Sequence, residues 1–323
     1  MVHVRKLVKA GASSHTVALP TAWLKRNNLT KGDEVFIVER SPTELSISPS
    51  LAPAAAPATE ITITVDGKEL GTLQREITAA YLNNYSSIVL TGKSLPKITR
   101  IVRDMLHDFV AVEITEQTGT RLVAKDLLNL EEIAVDKTIR RMDMMLRSLY
   151  DDAIAGTASA ENALLRDKDI NRLFFLLYRL LKRSVDDHAM AKRLGLSGTQ
   201  LLSTWAMIHH LESIADIAAR LPDMLDALKK PAREDANAAI VSIREYYLST
   251  MKSYYATDRD LADKVAAQRA GLVETHTAII KKFPDLATAE FTMQFAAMAS
   301  LVADIARVVI DENAVSGTSP ASQ

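Results

Sequence analysis

From Asn129 onward, apolar residues recur every three or four positions, and this helical period constrains the fold more than any other feature of the sequence. It predicts six helices, over residues 129–156, 160–192, 199–221, 231–256, 259–282 and 286–313. Asn129 and Glu132 have the spacing of a capping box at the start of the first helix. Because the joins are short and contain glycine or proline, neighbouring helices are expected to run antiparallel and to form bundles.

A short internal repeat divides this helical region into halves. Ala215-Asp216-Ile217-Ala218 recurs 88 residues later as Ala303-Asp304-Ile305-Ala306. A weaker similarity links the segment from Asp167 to Ile170 with the segment from Asp258 to Leu261, 91 residues later. Similar spacings over three helices each predict a duplicated three-helix bundle, with repeats at about 129–222 and 231–314.

The first 128 residues carry strand signals as well as helical ones. Residues 1–50 contain short apolar runs separated by turns, with one short helix. Residues 60–128 alternate strand and helix patterns, which is typical of a small α+β unit. Residues 48–59 are rich in proline and alanine and predict a linker, and the polar residues from Val315 predict a disordered tail. The sequence therefore predicts a multidomain α+β protein with domains at 1–50, 60–128 and 129–314.

The composition excludes several classes of site. The 323 residues include no cysteine, which rules out disulfides, thiolate catalysis and cysteine-based zinc sites, and which suits a reducing compartment. We find no run of about 18 apolar residues that would predict a membrane span. The charged start of the chain lacks the apolar core of a secretion signal. We therefore expect a cytoplasmic protein without membrane insertion.

Positive charge is concentrated at the N-terminus. The whole chain has a formal net charge of −1, whereas residues 1–50 contain seven basic and four acidic side chains. Cations together with small hydroxyl donors are what nucleic-acid phosphates require. The candidate DNA contacts are Arg5, Lys6, Lys9, Ser13, Ser14, His15, Lys25 and Arg26. A solvated rim on a small β-domain is the alternative interpretation of the same charges.

The same segment resembles a known family of DNA-binding domains. The shared features are a VRK strand, a glycine-containing loop, Leu-Pro before a short helix, and a turn containing Leu29, Gly32, Asp33, Glu34 and Val35. In these features residues 1–50 resemble the AbrB/SpoVT swapped-hairpin domain. The resemblance implies a β-barrel made by two intertwined chains, hence a homodimer, that contacts DNA through its first strand, loop and short helix. The loop from Ala10 to His15 is longer than in that family and lacks its arginine.

A second motif lies in the third predicted helix, where His209, Glu212 and Asp216 fall on one face. This pattern offers one nitrogen and two oxygen ligands to a divalent metal. A solvated polar stripe on an amphipathic helix has the same spacing, so the residues alone leave both interpretations open.

The helical region also resembles a family, the PhoU proteins. LESIADIAARLP, from Leu211 to Pro222, is similar to a signature of that family, and DKDINRLFFLLYRLLKRSV resembles a helix of its archaeal branch. The middle unit resembles the segment between an AbrB-like start and the PhoU helices in archaeal fusion proteins. The resemblance implies two PhoU-like three-helix bundles and a role in regulating a phosphate ABC transporter. Some members of the family bind iron or zinc.

Carried over to this sequence, the family pattern implies a divalent metal, with iron, zinc and magnesium as the candidates. The ligand candidates are Glu212, Asp216, His209 and Asp304. In the second repeat Ser300 stands where the family has glutamate, and Asn171 stands where it often has aspartate. The candidate partners are Asp169, Asp258, Asp260 and Asp263. Hard cations need several oxygen ligands, so these replacements weaken the predicted site.

No glycine-rich phosphate loop and no common catalytic motif is found, so no enzymatic activity is expected. Three functions remain open. The first is a DNA-binding transcriptional regulator of phosphate uptake, whose helical module senses phosphate, a metal or a transporter subunit. The second is an adaptor that binds no DNA and regulates a phosphate ABC transporter through protein contacts. The third is an abundant, chromatin-associated protein that binds metal or anions without specific operators.

Overall fold

The structure is a computed structural model that describes residues 3–11, 14–41, 43–49, 59–157 and 159–316. The chain forms two compact units, residues 1–58 and 59–323. The first contains short strands and one short helix, and the second combines a four-stranded sheet with a large helical region. The expected mixed α+β architecture is confirmed.

The first unit consists of two antiparallel hairpins and a short helix. Its elements are β1 Val8–Lys9, β2 His15–Thr16, α1 Thr21–Arg26, β3 Phe36–Ser41 and β4 Glu44–Ser48. Strand β1 pairs with β2, and β3 pairs with β4. Residues 3–7, expected in the first strand, pair with no strand in the described part of the chain. The two sheets are separate, and the predicted barrel, which requires two chains, stays a prediction.

Among residues 3–11, 14–37 and 45–49, no side chain of the first unit is buried. Apolar side chains are instead strongly exposed, with Val4 at 85%, Leu7 at 71%, Ile37 at 61% and Leu45 at 66%. A two-stranded hairpin is marginally stable in water, because it buries too little apolar surface to offset the entropy lost on folding. The first unit therefore needs apolar contacts from outside itself.

The second unit begins with a sheet covered by two helices. Its elements are β5 Glu60–Thr64, α2 Leu70–Leu82, β6 Ser87–Thr91, α3 Leu95–His107, β7 Val112–Gln117 and β8 Arg121–Asp126. The strand order is β5-β6-β8-β7, with β5 and β6 parallel and the other pairs antiparallel. Leu73, Ile77, Leu90, Val102 and Leu122, none more than 1% exposed, form the centre of its core. The predicted elements of residues 60–128 are confirmed.

Helices make up the rest of the described chain. They are α4 Val135–Ala155, α5 Ala160–Asp186, α6 His188–Arg193, α7 Gly198–Ala218, α8 Leu221–Ala227, α9 Lys230–Ala256, α10 Arg259–Lys282 and α11 Leu286–Ser316. Two predicted helices are broken. The helix predicted over 160–192 stops because the Asp187 carboxylate accepts hydrogen bonds from two backbone N–H groups of α6. The helix predicted over 199–221 stops before Pro222, which lies in the first turn of α8.

Two further predictions at helix ends are corrected. The Asn129 side chain donates to Glu132 Oε1 at 2.8 Å within a short 3-10 turn, and α4 begins only at Val135, so the predicted capping box is wrong. Helix α11 includes Val315, the expected start of the tail, and residues 317–323 lie outside the described chain. The predicted linker likewise falls mostly on residues 50–58, which are not described.

The long helices form two sets of three. Helices α4, α5 and α7 contact one another, as do α9, α10 and α11, and the sets meet through α7 with α11 and α4 with α9. One continuous core passes through both sets. The weaker similarity, between the segments that begin at Asp167 and Asp258, does not correspond to equivalent positions in the two sets. Asp167 lies inside α5, whereas Asp258 caps the start of α10.

Helix α11 contains a long apolar segment. Its segment Leu286–Asn313 has a mean hydropathy of 1.6 and is, by length and composition alone, able to cross a membrane. The segment contains Glu290, Asp304 and Arg307, so it is not an unbroken apolar run of the kind that the sequence analysis sought. In the fold, α11 contacts α7, α9 and α10, and Phe291, Phe295 and Met298 are at most 1% exposed. Its apolar character is accounted for by this central position among other helices.

Candidate functional site

The first hairpin carries part of the predicted DNA-contacting segment. Strand pairing places Lys9 opposite His15. The loop between them is closed by the backbone N–H of Ala10, which donates to the Ser14 carbonyl at 2.9 Å, and by the Ser14 hydroxyl, which donates to the Ala10 carbonyl. Gly11 has a φ of +90°, a conformation that side chains other than glycine rarely adopt. The turn therefore holds Lys9, Ser14 and His15 next to one another.

The five cationic side chains of this segment are all exposed. They are Arg5, Lys6 and Lys9 on and before the first hairpin, and Lys25 and Arg26 in the last turn of α1. None of them forms an ion pair with a residue that the structure describes. Ser14 and His15 are also exposed, whereas Ser13 lies outside the described residues. Exposed cations without local counter-charges attract anions over about a Debye length, roughly 8–10 Å.

Helix α7 is buried on one face and partly exposed on the other, and the exposed face carries both polar and apolar side chains. A capping box between Ser197 and Gln200 begins the helix. Ile208, Leu211 and Ala215 are fully buried, so the residues that fall between them reach the surface next to α5. These surface residues are His209, Glu212 and Asp216.

Three carboxyl groups from α5 and α7 meet at this surface. Asp167 of α5 lies near Asp216, so the two carboxylate charges repel each other. Burial and the charge of Asp216 raise the pKa of Asp167 to about 6. Burial and the charges of Asp216 and Asp167 raise the pKa of Glu212 to about 7. We call Asp167, Glu212 and Asp216 the acidic cluster.

An aromatic surface adjoins the acidic cluster. Its members are Phe174 and Tyr178 of α5 and Trp205 and His209 of α7. The rings of Trp205 and His209 stack with their centroids 5.4 Å apart, and His209 Nδ1 lies 3.9 Å from Glu212 Oε2. Trp205 is 41% exposed, so this surface is accessible to solvent. His209 thus connects the aromatic surface with the acidic cluster.

The other predicted metal ligands lie elsewhere. Asp304 of α11 pairs with Arg307 and lies near His210, not in the acidic cluster. Asp169 pairs with Arg172, Asp258 caps α10, and Asp260 and Asp263 are exposed on α10. Within the described residues, no three His, Asp or Glu side chains are grouped so as to hold a metal ion. The arrangement as it stands does not fit a metal centre, and we derive no chemistry from one.

Asp167 is the member of the acidic cluster that the sequence prediction missed. It lies one helical turn before Asn171, and Asn171 Nδ2 donates to it at 3.3 Å. Residues four apart share a helix face, so Asp167 lies on the same face as Asn171. Asn171 is the position at which the family often has an aspartate. That spacing was the available signal.

Comparison with protein-family models, curated proteins and solved structures finds no match for this chain.

Proposed function

We propose that this protein is a DNA-binding transcriptional regulator of phosphate uptake. In this proposal two chains associate through the first unit, and the helical region responds to phosphate status. One observation carries the proposal: the first unit exposes Val4, Leu7, Ile37 and Leu45, together with five cations that no described acid neutralises.

Self-association follows from the exposed apolar residues. Val4, Leu7, Ile37 and Leu45 are each more than 60% exposed. Fully burying such a side chain stabilises a protein by about 1.5–3 kcal/mol. A second copy offers the same residues in a two-fold arrangement, which is the commonest form of homo-oligomer. The resemblance to AbrB/SpoVT domains agrees with this arrangement.

DNA is the proposed ligand of the cations. Arg5, Lys6 and Lys9 are close in sequence, and Lys25 and Arg26 add two more cations on α1. In a dimer these charges are doubled, and cations that neutralise phosphates release counterions from DNA. The regulatory half of the proposal rests on the resemblance of the helices to PhoU proteins. Coupling between the two halves requires that the signal bind two conformations with unequal affinity.

The DNA contact is tested with the double variant Arg5→Ala/Lys6→Ala. We expect weaker binding to every duplex, and a salt dependence lower by roughly 0.9 for each phosphate that the variant no longer neutralises. Fluorescence anisotropy with labelled duplexes at several salt concentrations measures both quantities. The matched control is Lys252→Ala/Lys264→Ala, which removes two exposed cations from α9 and α10. Equal binding by wild type and both variants contradicts the proposal.

Association is tested by placing a charge on an apolar side chain of each unit. Leu45→Asp is expected to give monomers in sedimentation velocity, because a carboxylate would be buried between two chains. Leu286→Asp, at a position 85% exposed on α11, should leave the oligomeric state unchanged. A wild-type chain that is monomeric at all concentrations overturns the proposal. Mapping of bound DNA in cells at high and low phosphate then tests the regulatory role.

The adaptor without DNA binding is the second candidate, and the aromatic surface favours it. Trp205 and Leu202 are 41% and 69% exposed on α7, and exposed tryptophan is enriched at protein interfaces. In that function the surface contacts a phosphate ABC transporter subunit. Trp205→Ala would then abolish transporter regulation, and no duplex DNA would bind to the wild-type protein at any salt concentration.

A further inference from the structure

The outer side of α3 carries a row of basic side chains. The inner side of this helix belongs to the core of the sheet-containing part, where Leu95, Val102 and Leu106 are each at most 2% exposed. The basic side chains lie on the opposite side, and all of them are exposed. They are Lys97, Arg100, Arg103 and His107, which we call the cationic face.

The spacing of these residues aligns them along the helix. Each residue turns an α-helix by about 100°, so the four positions fall within an arc of roughly 120°. The helix rises by about 1.5 Å per residue, which gives the row from Lys97 to His107 a length of about 15 Å. The burial of the inner side fixes the direction in which this row points, because the helix cannot rotate without exposing its apolar residues.

The charge of the cationic face is not neutralised within the described part of the chain. Lys97, Arg100 and His107 form no ion pair there, and Arg103 Nη2 donates to the neutral amide oxygen of Gln117 at 2.8 Å. Asp104 is the one carboxylate on the exposed side of α3. The two lysine and arginine charges nearest the start of the helix, together with Arg103, therefore leave this side positive, although the whole chain has a net charge of −1.

The partner that fits this face is a polyanion rather than a membrane surface. A helix that lies on a membrane inserts an apolar face between the lipids, whereas the apolar side of α3 is already buried in the core. Ile101, at 39%, is the one strongly exposed apolar side chain of the helix. Each strand of duplex DNA carries a phosphate charge about every 3.4 Å along its axis, so a row of about 15 Å is as long as roughly four phosphates.

We propose that the cationic face of α3 binds the phosphate backbone of duplex DNA. The lysine and arginine side chains contact phosphate oxygens, and an imidazole N–H of His107 donates to another. Such contacts carry no sequence information, so they add affinity for every duplex alike. This inference rests on the proposed function, because it names a second DNA-binding surface in addition to the cations of the first unit.

The face is tested with the double variant Lys97→Ala/Arg100→Ala of the full chain. Fluorescence anisotropy is measured with labelled duplexes of unrelated sequence at several salt concentrations. We expect an affinity lower by on the order of tenfold at about 0.1 M salt for each duplex, and a salt dependence lower by about 1.8, which is roughly 0.9 for each lost phosphate contact. Both positions are exposed, so the unfolding temperature should stay that of wild type.

Two controls separate the position of the charges from their number. Lys97→Arg/Arg100→Lys keeps both cations on α3 and should retain most of the wild-type affinity, because the salt dependence counts neutralised phosphates rather than side-chain type. Lys252→Ala/Lys264→Ala removes two exposed cations from α9 and α10 and should bind like wild type. If the two alanine pairs weaken binding equally, net charge alone is the cause and the proposal is overturned.

The variants also separate this inference from the proposed function. Binding that Arg5→Ala/Lys6→Ala weakens and Lys97→Ala/Arg100→Ala leaves unchanged overturns the role of α3 alone. The reverse result supports α3 and contradicts the DNA contact proposed for the first unit. A wild type that binds no duplex overturns both.

Co-sedimentation with vesicles of phosphatidylserine and phosphatidylcholine tests the membrane as the alternative partner. We expect the Lys97→Ala/Arg100→Ala variant to lose duplex binding. If it instead loses vesicle binding and keeps the wild-type affinity for DNA, the face belongs to a lipid surface and the proposal is overturned.

Discussion

The guanidinium of Arg179 lies 4.2 Å from the centre of the Tyr81 ring, so a side chain of α5 packs directly on α2 of the sheet-containing part. Arg179 is 1% exposed and forms an ion pair with Asp126 at the end of β8. Its Nε donates to Asn84 Oδ1 at 3.2 Å. This junction connects the sheet with the helical region through one buried cation.

The first prediction concerns this junction. Arg179→Met should destabilise the protein by about 3–5 kcal/mol, because it leaves the Asp126 carboxylate largely buried without its cation. Urea denaturation measures the change in the free energy of unfolding. Lys182→Met, which removes only an exposed hydrogen bond to Asn83, should cost no more than about 1 kcal/mol.

A double variant separates loss of packing from loss of charge pairing at the same junction. Arg179→Met/Asp126→Leu removes both charges, so it should be more stable than Arg179→Met alone. If the double variant is less stable than the single variant, the unpaired carboxylate is not the cause of the destabilisation.

The second prediction concerns a buried carboxylate between α4 and α9. Asp143 is 2% exposed and accepts two hydrogen bonds from Arg147, both at 2.9 Å, one from Tyr247 at 2.7 Å and one from Tyr255 at 2.9 Å. Asp143→Ala should therefore cost about 3–5 kcal/mol. Tyr255→Phe removes one bond to a charged acceptor and should cost about 1.5–3 kcal/mol.

Thermal unfolding at neutral pH measures both variants of this network. Asp151→Ala, which removes an exposed partner of Arg244, is the control and should have an effect below about 1 kcal/mol. Equal unfolding temperatures for Asp143→Ala and Asp151→Ala would show that the network contributes nothing to stability.

The third prediction concerns the pH dependence that Glu212 imposes. Its pKa rises from 4.5 to about 7 on folding, so between these values the folded protein binds the proton more tightly than the unfolded chain. Stability from this group is present below pH 4.5 and is lost as the pH rises through about 7. Glu212→Gln removes the charge and should stabilise the protein at about pH 8 by on the order of 1–2 kcal/mol, with little effect near pH 5.

Urea denaturation of wild type and Glu212→Gln at both pH values measures this difference. Glu290→Gln, at an exposed position of α11, should show the same pH dependence as wild type. A Glu212→Gln variant whose stability follows wild type at both pH values would place the carboxylate in water rather than among other carboxyl groups.

The fourth prediction concerns the turn between β6 and α3. Gly92 has a φ of +153°, and a Cβ at this position would lie 2.7 Å from Val65 Cγ2 and 2.8 Å from Asp66 Oδ1. Asp66 accepts hydrogen bonds from the backbone N–H groups of Lys93 and Ser94, both at 2.8 Å. Gly92→Ala should therefore cost about 1–3 kcal/mol through backbone strain and displacement of Asp66.

Gly119 provides the matched control for this substitution. It lies in the turn between β7 and β8, and a Cβ there would have no neighbour within 4 Å. Gly119→Ala should change the free energy of unfolding by no more than about 0.5 kcal/mol. Denaturation curves in which both alanine variants behave alike would contradict the close approach at Gly92.

The strands and helices of residues 60–128 could be predicted because the spacing of their apolar residues matches the face that each element buries. The break between α5 and α6 at Asp187 could not be predicted, because the helical spacing of apolar residues continues across it. The break depends on a local hydrogen-bonded cap made by the Asp187 carboxylate. The first unit shows a different limit. Its last two strands were predicted, but residues 3–7 and 17–19, also predicted as strand, lie in no strand of the described chain.

The sequence by itself determined the type of most elements and the concentration of cations at the N-terminus, because period, turn residues and charge are local properties. Only the tertiary structure decided which polar side chains meet. It brought Asp167 near Asp216, separated Asp304 from them, and placed Arg269 against Ser300. Each residue turns a helix by about 100°, so the pairing of side chains across two helices depends on packing register, which no local pattern specifies.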